Sequence, residues 1–98
     1  MPPKITTAED LRKMFAEMGL AEMLTEERLR EQVYVNNPAP LAAGQVSGTR
    51  SQLVRLIDPS GTVVAEVHRY LQPDGKVGAS GLLDPKYVLK NGVGYMTP

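Results

Sequence analysis

Residues 51–71 read SQLVRLIDPSGTVVAEVHRYL, and the fold turns on how this stretch is read. Two runs rich in Val, Leu and Ile flank Asp58-Pro59-Ser60-Gly61. Asp at the first position of a turn, Pro at the second and Gly at the fourth favour a type I turn. The stretch therefore predicts a β-hairpin. If the strands leave the turn directly, Ile57 faces Thr62, Leu56 faces Val63 and Val54 faces Ala65. Period-two alternation then sorts the side chains onto two faces. One face carries Val54, Leu56, Val63, Ala65, Val67 and Leu71, with Arg69 among them. The other carries Leu53, Arg55, Ile57, Val64, Glu66, His68 and Tyr70. The first face reads as core. The second is too apolar to be idle and too polar to be interior.

Upstream, TTAEDLRKMFAEMG (6–19) reads as a helix. Thr7 is placed to cap it, and Leu11, Met14, Phe15 and Met18 recur at helical spacing. Gly19 suits a left-handed stop. A second helix is expected in LTEERLREQVYV (24–35), with Thr25 as its cap and Glu26 and Glu27 in its first turn. The β-branched and aromatic end Val33-Tyr34-Val35 weakens its last turn. NNPAPLAAGQ (36–45) reads as a linker. Downstream, PDG (73–75) turns the chain, and KVGAS (76–80) can begin a third strand. Asn91-Gly92 is a strong hairpin signal, because a type I′ turn needs positive φ at both central residues. Tyr87 to Leu89 run into it and Val93 to Met96 run out. DPKYVL (84–89) also admits a short helical turn.

The expectation is one α+β domain over residues 1–98. Two N-terminal helices (1–35) would pack on an antiparallel β-meander of about four strands (46–98), joined by the linker at 36–45.

Composition narrows the chemistry. There are no cysteines and one histidine, so thiolate zinc sites, thiol nucleophiles and multi-histidine metal clusters are excluded. Eleven basic and eleven acidic residues give no net charge, unlike the basic footprint of a dedicated nucleic-acid binder. No apolar run approaches the ~18 residues of a membrane helix. The N-terminus lacks a signal-peptide apolar core, so a cytoplasmic protein is expected.

GASG (78–81) fails as a nucleophile elbow around Ser80, since G-x-S-x-G requires Gly where Leu82 stands. GKVGASG is not a phosphate-binding P-loop. Asp58, Asp74 and Asp84 all sit before Pro or Gly, where turn formation explains them without a metal. Arg50, Arg55, Arg69, Lys76, Lys86 and Lys90 are scattered, with few aromatics to stack on bases. No cofactor or metal site is expected.

The mixed face gives the leading functional expectation. The chain reads as a non-enzymatic protein–protein interaction module: an inhibitor, an adaptor or a homo-oligomeric accessory protein, including kinds that phages or mobile elements encode. Leu53, Arg55, Ile57, Val64, Glu66, His68 and Tyr70 would meet a protein partner or a second copy. The competing expectation is a small metal-independent ribonuclease-like enzyme. His68, Tyr70 and Arg55 would then act as base and phosphate-holding groups. Toxins of helix–helix–sheet order offer a fold-level analogy only.

Overall fold

The first helix forms where its cap and apolar stripe place it. In the computed structural model, which describes residues 2–78 and 82–98, helix α1 spans Ala8–Glu17. The Asp10 N–H donates to Thr7 Oγ1 at 3.0 Å, and the Thr6 hydroxyl donates to Asp10 Oδ2 at 2.9 Å. Gly19, at φ 65°, ends this helix and starts α2, Leu20–Thr25.

The second helix is shorter and earlier than LTEERLREQVYV suggests. Glu27 takes φ 59° and turns the chain, while the Arg28 N–H closes onto the Met23 carbonyl at 2.8 Å. Residues Arg30–Pro38 then form a strand, β2 (the strand Lys4–Ile5 being β1). Gln32-Val33-Tyr34-Val35 fits a pleated surface, and its ladder with β3 (Arg50–Ile57) outweighs the local helix signals. Asn36 and Asn37 belong to this strand, so the expected 36–45 linker shrinks to a loop after Pro38. That loop holds one 3₁₀ turn, Leu41–Ala43, whose Leu41 is fully exposed. The β half thus begins at Arg30 rather than near Val46.

Three more strands follow: β4 (Val63–Leu71), β5 (Asp84–Lys90) and β6 (Val93–Met96). The sheet has six strands in the order β1-β6-β5-β4-β3-β2. β2 to β6 form an antiparallel meander, and β1 adds to β6 in parallel, so the sheet is mixed and larger than the expected four strands. Asp84–Lys90 is strand, not a helical turn. Asn91 and Gly92 both take positive φ, 51° and 75°, as the β5–β6 turn requires. Of the expected third strand in KVGAS, Val77 makes an isolated bridge to Leu71. Ser80 and Gly81 lie outside the described residues.

The Asp58–Gly61 turn closes as expected, the Gly61 N–H donating to the Asp58 carbonyl at 2.9 Å. The register beyond it differs from a direct exit. The Asp58 N–H bonds to Thr62, which moves the pairing by one residue. A bulge then moves it by one more: Ile57 faces Val63, but Leu56 faces Ala65 and Val54 faces Val67. Two one-residue offsets restore the parity of side-chain directions, so the assignment of faces survives although the expected partners do not.

Val54, Leu56, Ala65, Val67 and Val88 are buried against Leu11, Phe15, Leu20 and Leu29. Met14, Met18, Met23 and Tyr95 pack around them. Helix α1 lies over β5 and β6. Both helices are on this one face.

Leu11 is completely buried, and burial of a leucine supplies far more free energy than one exposed cap bond. Leu11→Ala should cost about 2–5 kcal/mol in urea unfolding. Thr7→Ala should cost about 1 kcal/mol. Equal losses would contradict this packing.

Candidate functional site: the uncovered sheet face

Side chains that alternate with the core strand positions point away from the helices. Among the described elements none packs across this second face. Tyr34, Val35, Ser51, Leu53, Arg55, Glu66, His68, Tyr70 and Tyr87 on this face are half-buried, and Gln32, the β2 register partner of Arg55, is exposed. The sheet itself sets their order. Arg55 is the cross-strand neighbour of Glu66, and Glu66 that of Tyr87. On the β2 side a bulge between Val33 and Val35 turns Tyr34 toward Arg55, whose guanidinium carbon sits 3.9 Å from the ring centroid.

This arrangement is electrostatically coupled. Arg55 Nε lies 4.0 Å from Glu66 Oε1, a loose pair that leaves most of the guanidinium donors unspent. The Tyr34 hydroxyl is pushed up to about 12 by burial first, then by its hydrogen bond to Glu66 and that carboxylate's charge. Tyr34 therefore stays a neutral donor, holding one side of Glu66 while its ring holds Arg55. Farther along β4, the His68 and Tyr70 rings meet edge to face at 4.7 Å. His68 Nε2 lies 2.8 Å from Ser51 Oγ. Burial lowers the imidazole below its ordinary value, the Lys86 charge lowers it further and Asp84 opposes both.

Of the seven expected contact residues, the structure gathers Leu53, Arg55, Glu66, His68 and Tyr70 on this face. It removes two. Ile57 is only 6 % exposed, beside the start of β2, and Val64 packs against the helix-side core at the bulge. Tyr34, Ser51 and Tyr87 join the face unanticipated. Three of the four tyrosines thus lie on it. Of the proposed catalytic trio, His68 and Tyr70 touch, whereas Arg55 is engaged by Tyr34 and Glu66 instead.

A groove of about 830 Å³ is walled by Phe15, Leu24, Leu83 and Pro85 on the helix side, and His68 and Tyr70 also line it. Arg69 forms part of its lining, donating to Gln52 Oε1 at 2.9 Å and Glu31 Oε1 at 2.7 Å. Three of the other cations named above are paired as well: Arg50 with Asn36, Lys86 with Asp84 and Lys90 with Glu17. Asp58 is consumed by its turn, accepting from the Ser60 hydroxyl and the Ser60 and Thr62 N–H groups, which lowers its pKa. Asp74 accepts from the Lys76 N–H. Among the described residues, no three His, Asp or Glu side chains are grouped to hold a metal ion, and no helix is long and apolar enough to cross a membrane.

His68 gives this face a pH signature. Its folded pKa lies below the unfolded value of 6.5, so below pH 6.5 the unfolded chain takes up a proton that the folded chain refuses. The contribution is complete above 6.5 and is lost as pH falls from there toward the folded pKa. An NMR titration should show the imidazole titrating below 6.5, and His68→Asn should remove that part of the decline in stability. A titration above 6.5 would contradict the burial of this ring.

Protein-family models, curated proteins and solved structures were each compared with this chain and none matches, so its functional reading rests on geometry.

Proposed function

We propose that the chain is a protein–protein interaction module and that the uncovered sheet face is its contact surface. One observation carries this reading: the Tyr34–Arg55–Glu66 cluster is already ordered in the isolated chain, with Leu53, His68, Tyr70 and Tyr87 on the same open face. Tyr and Arg are the residue types that dominate binding energy when a partner excludes water around them. Fixing them beforehand lowers the ordering cost of association. The absence of net positive charge weighs against a phosphate-tracking role.

A second reading keeps His68 as a base. The Ser51 Oγ···His68 Nε2 contact and a lowered imidazole pKa favour it, since a neutral imidazole can accept a proton near neutral pH. The cation expected beside it, Arg55, lies against Tyr34 and Glu66 instead.

Affinity capture from host lysate separates the two. Leu53→Glu should abolish capture of the bound protein, while His68→Ala should leave it within about twofold, as a peripheral contact would. Capture unaffected by Leu53→Glu, together with RNA cleavage lost on His68→Ala, would replace the first reading with the second.

A further inference from the structure

A second group of polar residues crosses the open face beside the Tyr34–Arg55–Glu66 cluster. Three pairs of the register set it out. Asn37 of β2 stands opposite Ser51 of β3, and Ser51 stands opposite Tyr70 of β4. His68, two residues before Tyr70 and on the same face, stands opposite Asp84 of β5. Residues directly opposite each other share a face, so an amide, a hydroxyl, an imidazole and a carboxylate follow one another across four strands. Two of them already touch: Ser51 Oγ lies 2.8 Å from His68 Nε2. The imidazole is braced from its other side by the Tyr70 ring, edge to face at 4.7 Å.

We propose that Ser51 is a nucleophile, with His68 as its base, and that it acts on esters with an apolar acyl group. With the ring proton on Nδ1, Nε2 accepts from the Ser51 hydroxyl, which is the arrangement that activates a serine. The lowered imidazole pKa keeps Nε2 unprotonated near neutral pH. Asp84 is a positioning residue. Its charge acts on the ring against that of Lys86, and its Oδ1 is buried without a hydrogen bond. Arg12 Nε stands 3.6 Å from Oδ1, while Lys86 holds Oδ2 at 2.8 Å. Asn37 is exposed, and its side-chain amide is the donor that the register places beside Ser51. The groove of about 830 Å³ reaches His68 and Tyr70, and its Phe15, Leu24 and Leu83 walls suit an apolar acyl chain.

The chemistry closes with water alone. Ser51 Oγ bonds to the ester carbonyl carbon, and its proton passes to His68 Nε2. Negative charge gathers on the carbonyl oxygen, to which the Asn37 amide donates. The bond from that carbon to the leaving alcohol oxygen then breaks. The oxygen keeps the electron pair and takes the proton from Nε2. Water next attacks the acyl-Ser51 carbonyl and gives a proton to Nε2, which returns it to Ser51 Oγ as the acid departs. The sum is ester and water to carboxylic acid and alcohol. This activity goes beyond the contact-surface reading and does not rest on it.

An alkyl fluorophosphonate tests the nucleophile directly, because an activated serine displaces its fluoride and keeps the phosphonyl group. Intact-mass and peptide mass spectrometry of the wild-type chain should show one adduct, on Ser51 rather than Ser47, Ser60 or Ser80. p-Nitrophenyl butyrate should be hydrolysed above the buffer rate, and Ser51→Ala should lose both reactions. His68→Ala should slow labelling by about 100-fold or more with an unchanged circular dichroism spectrum. Asp84→Asn should slow it and move the midpoint of the pH–rate profile to lower pH, because the charge that raises the imidazole pKa is gone. An unmoved midpoint overturns the part given to Asp84. A wild-type chain that takes no adduct, an adduct on another residue, or Ser51 labelling as fast in His68→Ala overturns the nucleophile. None of these results depends on the Leu53→Glu capture, which reports on the contact surface alone.

Discussion

The β3–β4 hairpin is the constraint on which the rest of the molecule depends. Its turn is held by Asp58, whose carboxylate and carbonyl accept from Ser60, Gly61 and Thr62. From there the pairing is displaced once at the turn and once at the Val63–Val64 bulge. A single displacement would put Leu53 on the face of Val67 and Val54 on the face of Glu66, so one of the two strands would carry its polar set under the helices. Two displacements leave Val54, Leu56, Ala65 and Val67 facing Leu11 and Phe15. Everything on the other face then inherits its position from this count.

The cost of the second displacement is local. At the bulge two residues oppose one, so Val64 leaves the open face and joins the core, and Ile57 is buried near the start of β2. A second bulge, on β2, does the opposite for Tyr34 by turning it over Arg55. The two irregularities together concentrate polar and aromatic groups in the middle of the open face. Bulges re-aim side chains in this way wherever a regular ladder would misplace them. The result is a sheet with one dry, helix-covered side and one side where charge is paired only loosely.

Much of this was legible in the residues. The Thr7 cap, the Leu11–Met14–Phe15–Met18 stripe, Gly19 as a stop and the Asn91-Gly92 turn are local signals, and local physics decides them. Alternation also sorted Leu53, Arg55, Glu66, His68 and Tyr70 correctly. What could not be read was long-range. Glu26-Glu27 after Thr25 resembles a helix start, yet β3 offered Arg30–Pro38 an unpaired edge, and ladder bonds to a distant strand are invisible to a window of a dozen residues. Val33-Tyr34-Val35 was the signal that could have revealed that strand, and with it Tyr34. The parallel pairing of Lys4–Ile5 with β6 has no local signature either, because it joins the two ends of the chain. Register was legible only up to the turn: Gly61, at φ 89°, admits the extra residue there, but nothing about Val64 marks it as a bulge.

Cross-strand nuclear Overhauser contacts measure the count of displacements directly. Contacts joining Leu56 to Ala65 and Val54 to Val67 place Leu53, Arg55, Glu66 and His68 on the side away from the helices. Contacts joining Leu53 to Val67 and Val54 to Glu66 would mean an odd displacement, place Leu53 and Arg55 on the opposite face from Glu66 and His68, and leave no single open face that carries all four.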